Sequence, residues 1–330
     1  MRGFWRDRRV VVVGGNGFIG SHLVERLLEA GARVASTASS ADSAWRFLGS
    51  VESDVDMRIG DLRNPETARR AVEGQEVVMN LAARVGGVAH NMAHPATLFR
   101  ENVQPFINVI EAARQAGVGR FLVTSSACVY PAVCTVPTSE DEGFTDRPEF
   151  TNEGYGWAKR MEEYLGESYA SEYGMDVCIA RPYNAFGPRD NFDPASSHVI
   201  PALVRRAIAG ESPFVVWGSP EVTRSFIYAT DFARGLMAVA ERSPQVGAIN
   251  IGSDEETSIG RLASLVVAAC GLKVDIVFDS SKPTGQMRRS CDTRLAARLL
   301  GFRAEVSLEA GLARTVEWYR SWQTACATPT

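Results

Sequence analysis

The sequence predicts an α/β protein: a doubly wound parallel sheet followed by a smaller C-terminal substrate-binding lobe. Three observations predict it. Apolar runs of strand length alternate with helical patterns through residues 1–180, a glycine-rich turn follows the first run, and Pro- and Gly-rich loops take over after Arg181-Pro182.

Val10–Val13 reads as a buried first strand, and the helix behind it carries Leu23, Leu27 and Leu28 on one face and stops at Gly31. Further strands are expected at Arg33–Ser36, Met57–Ile59, Val77–Ala82, Phe121–Ser125 and Val177–Ala180. Between them, Asn64-Pro65 opens one helix as cap and N1 proline, and longer helices cover Pro95–Ala116 and Gly154–Tyr173. Past Arg181 a helix is expected near Pro201–Ala209. The chain then returns to the sheet at Phe226–Tyr228 and Ala248–Ile251 before amphipathic helices that include Leu308–Trp318. The dinucleotide-binding domain is thus 1–180 with returning segments near 226–251, and the lobe is 181–225 and 252–330.

Bulk properties exclude several function classes. The chain has 330 residues, 45% of them hydrophobic, and a net charge of -4 with scattered basic residues, so no nucleic-acid footprint is present. No segment has membrane-spanning length. Cysteines 128, 134, 178, 270, 291 and 326 form no CxxC, which argues against a zinc site and a disulfide framework. The arginine-rich Met1–Arg9 precedes an apolar run too short for a signal peptide. A soluble, cytoplasmic protein is expected.

Gly14, Gly17 and Gly20 stand between the first strand and its helix, where a dinucleotide loop belongs. Gly14 allows the tight turn, Gly17 the approach of a pyrophosphate, and Gly20 close helix packing, while the helix N-terminus offers amides and positive dipole. The fold expected is therefore Rossmann-type. Asn16, Phe18, Ile19, Thr37, Leu62, Leu81, Ala82 and Ala83 are expected to line the cofactor, with Asp61 at the adenine edge. The second strand ends Val34-Ala35-Ser36-Thr37-Ala38-Ser39-Ser40 without the carboxylate that would hold a ribose 2′-hydroxyl. Hydroxyls with Arg33 or Arg46 nearby suit a 2′-phosphate, so NADP(H) is favoured over NAD(H). Both arginines as solvated surface is the alternative.

Tyr155 and Lys159 stand one helical turn apart. A phenol titrates near ~10 alone, and a neighbouring ammonium stabilises its phenolate. Tyr155 can then exchange a proton with a sugar hydroxyl, while Lys159 also holds the nicotinamide ribose. Ser126, after the fifth strand, is the expected hydroxyl donor to a substrate carbonyl. Alone, a YxxxK pair is commonly exposed helix surface; the glycine loop and Ser126 turn the reading towards catalysis.

With these motifs in place, the chain resembles extended short-chain dehydrogenases acting on nucleotide sugars over nearly its whole length. Ala127-Cys128 replaces the Asp-Glu pair of sugar 4,6-dehydratases, which disfavours dehydration. Cysteine there resembles the GDP-L-fucose synthase and GDP-mannose 3,5-epimerase families. Ala83–Val88, Asn152–Tyr155, Asp190–Pro194, Ser197–Leu203 and Lys282–Gln286 look most like the synthases, whereas Ser125–Pro131 looks closer to the epimerase. The resemblance implies that Cys128 and His198 are the epimerising acid/base pair, although a buried core thiol and a helix-start histidine are their ordinary alternatives. It also implies that Asn184 and Arg224 hold the nucleotide diphosphate and that Val199, Trp217 and Lys282 shape the nucleoside pocket, with core packing (Trp217) and a solvated loop (Lys282) as alternatives. The other cysteines read as packing residues or tail, with Cys134 most simply an inert loop thiol.

The resulting expectation is a GDP-sugar 3,5-epimerase with NADPH-dependent 4-keto reduction, acting as a homodimer through the helices at 95–116 and 154–173. The rival enzyme oxidises C4 transiently and epimerises without net redox. A rival of another class is a catalytically silent dinucleotide-binding sensor, against which Ser126, Tyr155 and Lys159 all stand.

Overall fold

The computed structural model describes residues 2–243, 247–282 and 286–327. Its strands, in chain order, are β1 (Arg9–Val13), β2 (Arg33–Ala38), β3 (Val55–Ile59), β4 (Val77–Asn80), β5 (Arg120–Thr124), β6 (Val177–Pro182), β7 (Asn184–Phe186), β8 (Phe214–Trp217), β9 (Thr223–Tyr228), β10 (Ala248–Ile251), β11 (Glu256–Ser258), β12 (Ile276–Asp279) and β13 (Arg288–Arg289). Seven form one sheet in the order β10-β6-β5-β4-β1-β2-β3, every pair parallel.

The valine run of β1 explains its central place. Val10 and Val12 pack in one layer with Leu23 and Leu27, and Val11 and Val13 in the opposite layer with Phe106 and Phe121. A strand covered on both faces has to be apolar throughout, and each such side chain contributes about 1.5–3 kcal/mol on burial. Helices Phe18–Glu29, Pro65–Val72, Pro95–Gln115 and Glu153–Tyr173 cover the sheet. The Asn64 side chain accepts from the amides of Glu66 and Thr67, and Pro65 follows at N1, as the sequence implied.

Strand order reverses between β1 and β4, so a crevice opens above their carboxyl ends. Into it run the loops 14–17 and 81–83.

Of the two segments expected to return to the sheet, Ala248–Ile251 does so, with Ala248 opposite Ile179 of β6. Phe226–Tyr228 does not. It belongs to β9, which pairs with β7, β11 and β13 in a separate small sheet. The place beside β6 is taken by β5 and β10, and β9 finds its ladders instead in β7, β11 and β13.

A third apolar cluster, built from Phe186, Phe192, Leu203, Phe214, Leu262, Leu312 and Tyr319, holds the C-terminal part together. Phe192 stacks on Tyr319 at 4.0 Å, and Trp318 of helix Leu308–Ala327 meets Phe47, beyond β2, at 6.3 Å. Among the described residues no helix is long and apolar enough to cross a membrane.

A Cβ at Gly20 would lie 2.2 Å from the Gly14 carbonyl oxygen and 2.7 Å from the Gly15 Cα, backbone that has no rotamer to give way. Gly20→Ala should therefore cost about 1–3 kcal/mol in urea unfolding. Gly49→Ala, which meets nothing within 4 Å, is the control and should leave the midpoint nearly unchanged. A wild-type midpoint for Gly20→Ala would contradict the packing described.

Candidate active site

The glycine loop is shaped by contacts that only glycine permits. Gly14 has φ +82°, and a Cβ there would come within 3.0 Å of the Ala82 backbone, so the turn after β1 lies directly against the segment after β4. Its amide donates to Thr37 Oγ1 at 2.8 Å, which ties the turn to the end of β2. A Cβ at Gly17 would meet only the Gly14 carbonyl, at 3.3 Å, leaving the outer face of the loop open. Small residues, an open face and the amide end of helix Phe18–Glu29 suit a pyrophosphate, so the residues present fit a dinucleotide.

The remaining cofactor-side residues divide by what they touch. Asn16 Nδ2 donates to the Ser43 carbonyl at 3.0 Å and braces the loop against the segment beyond β2. The Phe18 ring meets His22 edge-on at 6.1 Å, and Ile19 packs on the core. Asp61 is exposed, and its 2.6 Å pair with Arg63 holds its carboxyl below the usual range. Leu62 is half-buried, with its carbonyl accepting from Asn108 Nδ2 at 2.9 Å. Leu81 donates its amide to Val13, Ala82 is half-buried and Ala83 is exposed. Arg33 corrects one expectation: it starts β2, at the end away from the glycine loop, and lies 3.8 Å from Asp7. Arg46 follows β2, its guanidinium 4.9 Å from the Phe47 ring centre.

The catalytic candidates come from two elements pressed together. Beyond β5, Ser126 caps a short turn over Ala127–Val129, its Oγ accepting from the Cys128 amide at 3.1 Å. Helix Glu153–Tyr173 supplies Tyr155 and Lys159. Glycines let its first turn seat closely: a Cβ at Gly156 would be 2.5 Å from the Cys128 carbonyl, and one at Gly154 would be 2.4 Å from the Pro95 carbonyl.

This seating gathers Ser126, Cys128, Tyr155 and Lys159. Burial pushes the Tyr155 phenol well above its usual value, helped by the Cys128 and Glu162 charges and opposed by a hydrogen bond from Ser126. Lys159 is buried, donates to the Thr124 carbonyl at 3.0 Å and to Glu162 Oε2 at 2.8 Å, and stands 5.7 Å from the Tyr155 ring centre. His198 belongs to a different element, at the N-cap of helix Val199–Ile208. It is exposed, yet desolvation by the protein around it lowers its imidazole below the usual value. Cys178, Cys270 and Cys291 are buried, and the Cys134 thiol lies 3.3 Å from Thr138 Oγ1.

On the lobe side, β13 sets Arg289 in register with Arg224 of β9. Arg224 donates to the carbonyls of Thr223 (2.7 Å) and Gln286 (2.8 Å), and Arg289 donates to the Ala127 carbonyl in the turn that carries Cys128. Burial and the Arg289 charge lower the Arg224 guanidinium to about 10, with Glu149 opposing. Two crowded cations suit a doubly charged anion. The sequence reading missed Arg289, because only the β9–β13 pairing brings it beside Arg224. Asn184 Nδ2 donates to the Ser225 carbonyl at 2.9 Å. Val199 begins its helix at the surface, and Trp217 is 66% exposed, so it is not a core residue. Lys282 Nζ lies 5.5 Å from the Trp217 ring centre. Pro283, Thr284 and Gly285 of the Lys282–Gln286 motif lie outside the described residues.

A glycine loop at the reversal point and a Ser-Tyr-Lys cluster beyond β5 of the same sheet fit a dinucleotide-dependent enzyme of the short-chain dehydrogenase kind. Comparison with known proteins narrows the class. Residues 10–252 match the model of the NAD dependent epimerase/dehydratase family, and the chain belongs to that family. It is 40% identical to the GDP-L-fucose synthase of Escherichia coli (strain K12), over 76% of this chain and 81% of that one. With the GDP-L-fucose synthase of Sinorhizobium fredii it shares 35% identity, over 95% of this chain and 96% of the other. Among solved structures it is similar to a GDP-L-fucose synthetase from Naegleria fowleri bound to NADP, with a TM-score of 0.81 and 27% identity over 97% and 96% of the two chains. The protein is accordingly an NAD(P)-dependent enzyme of epimerase/reductase type.

Asp190, in the segment leading to His198, gives a pH test of the site's surroundings. It is buried, Oδ1 accepts from the Asn191 amide at 2.7 Å, and Oδ2 has no partner. Burial pushes its carboxyl from 3.8 up to about 7. The folded chain therefore keeps a proton that the unfolded chain releases, and stability from this group falls as pH rises through that window. Asp190→Asn should gain on the unaltered protein between pH 4 and pH 8 in thermal unfolding; a constant difference would show that Asp190 is ionised throughout.

Proposed function

We propose that this enzyme is a nucleotide-diphosphate-sugar 3,5-epimerase that also reduces a 4-keto group, with a GDP-sugar as substrate and NADPH as reductant. The observation that carries the reading is the seating of Cys128, on the turn that Ser126 caps, directly against the first turn of the helix that carries Tyr155. Inversion beside a ketone needs an acid/base group next to hydroxyl donors for the carbonyl oxygen, and this seating brings a cysteine, a serine and a tyrosine into one place.

Ser126 and Tyr155 hydrogen-bond O4, so charge that develops there on proton loss from C3 or C5 is stabilised. Cys128 serves one face of the sugar ring and His198 the other, one removing a proton and the other returning it. The nicotinamide, when bound, supplies the hydride for C4. Tyr155 delivers the proton to O4, and its raised pKa keeps that proton in place at neutral pH. Arg224 and Arg289 take the diphosphate, with Asn184 beside them, and Val199, Trp217 and Lys282 border the nucleoside. In this reading residues 1–180 serve the cofactor and 181–225 with 252–330 the sugar nucleotide. Support for NADP comes from the absence of a carboxylate at the end of β2 and from Arg46 beyond it. Exposed Ile107, Tyr164 and Tyr173 support pairing of two copies through helices Pro95–Gln115 and Glu153–Tyr173.

Incubation with GDP-4-keto-6-deoxymannose and NADPH in deuterated water tests the proposal. Loss of NADPH absorbance together with deuterium at C3 and C5 is expected. Turnover without NADPH loss would favour epimerisation without net redox, and no turnover with this sugar would sink the substrate assignment. Cys128→Ser and His198→Asn should each slow exchange by about 10²–10⁴-fold. If both keep full exchange, they are not the acid/base pair. Arg289→Ala should raise KM for the sugar nucleotide at least about tenfold, as expected for a lost charged phosphate contact. An unchanged KM would remove it from the diphosphate site.

A further inference from the structure

Lys159 has a partner that the proposed chemistry does not use. Tyr155, Lys159 and Glu162 lie at i, i+4 and i+7 on helix Glu153–Tyr173, and so on one face. Glu162 has no exposed surface and contacts Lys159 Nζ through Oε2 at 2.8 Å, while its Oε1 has no hydrogen-bond partner. A permanently ionised carboxylate would want that second oxygen satisfied. A proton on it removes most of the charge whose burial is costly.

We propose that Glu162 is a positioning residue, a titrating counter-charge behind Lys159 whose protonation sets how strongly Lys159 draws the proton from Tyr155. With the carboxyl neutral, the Lys159 ammonium acts on the phenol unopposed. With it ionised, the two charges offset and Tyr155 keeps its proton, which is the form a 4-keto reductase needs. The inference rests on the Tyr155–Lys159 chemistry proposed above.

The surrounding groups leave this pair largely to itself. On the same helix, Glu163 is the other carboxylate close enough to act, and it is held by Arg181 of β6 at 2.7 Å and by the Ser125 hydroxyl beyond β5. From β5, Thr124 offers its carbonyl to Lys159. On helix Pro95–Gln115, packed alongside, Glu101 pairs with Arg84 at 2.8 Å, and Glu111 pairs with Arg114 and takes the Tyr169 hydroxyl two turns further on. Burial pushes the Glu162 carboxyl up to about 7, against the pull of Lys159.

Two readouts test this. With glutamate δ-carbons labelled in the full-length protein, the carboxyl resonance that disappears in Glu162→Gln should titrate near neutral pH. Titration together with surface glutamates, near ~4.3, would overturn the proposal. Glu162→Asp serves for the same assignment if Glu162→Gln does not fold. In the second readout, Glu162→Gln should move the alkaline limb of the kcat/KM profile for 4-keto reduction to lower pH by on the order of one unit, since the opposing charge never forms. A profile that keeps its shape and falls only in height would mark a structural role and overturn it. The carboxyl titration needs no substrate, so it still judges Glu162 if GDP-4-keto-6-deoxymannose proves to be the wrong sugar.

Discussion

The close seating of helix Glu153–Tyr173 on the turn after β5 is the constraint from which the candidate site follows. Gly154 and Gly156 remove the side chains that would hold the helix off Pro95 and Cys128. The approach puts Tyr155 beside Ser126 and drives Lys159, Arg160, Glu162 and Glu163 into the interior, where charged groups need partners. Each finds one: Lys159 with Glu162, Glu163 with Arg181, and Arg160 with the Val129 carbonyl at 2.9 Å. Removing one member of such a pair leaves the other buried and uncompensated, so the polar lining beneath the site also fixes the position of the helix.

Most of the main sheet was legible in the sequence because its inner strands β1, β4, β5 and β6 are buried on both faces and read as largely apolar runs. Each run fell within about two residues of a strand, and Asn64-Pro65 marked its helix through capping chemistry alone. What failed was the placement of Phe226–Tyr228. An apolar run announces that a strand will be buried, but not which sheet has a free edge. That depends on β10 having taken the side of β6, a pairing between segments far apart in sequence.

The site was legible where its residues are local. Tyr155 and Lys159 share a helix face, and Gly14, Gly17 and Gly20 share a turn, so spacing grouped each set, and only the motifs together turned the reading towards catalysis. Arg289 was invisible because its neighbour Arg224 lies on another strand, and Glu162 because a carboxylate in a helix ordinarily faces water. Arg33 shows the opposite error: it is near the cofactor loop in strand numbering, but at the wrong end of β2.

The meeting of Phe47 with Trp318 has a consequence for biogenesis. Phe47 leaves the same short segment whose Ser43 braces Asn16 in the glycine loop, and Trp318 lies on the last helix. The wall behind the glycine loop is thus buttressed by a helix made long after the strands of the main sheet. A nascent chain can assemble β1 to β6 early, yet the mouth of its cleft gains that support only once helix Leu308–Ala327 has been added.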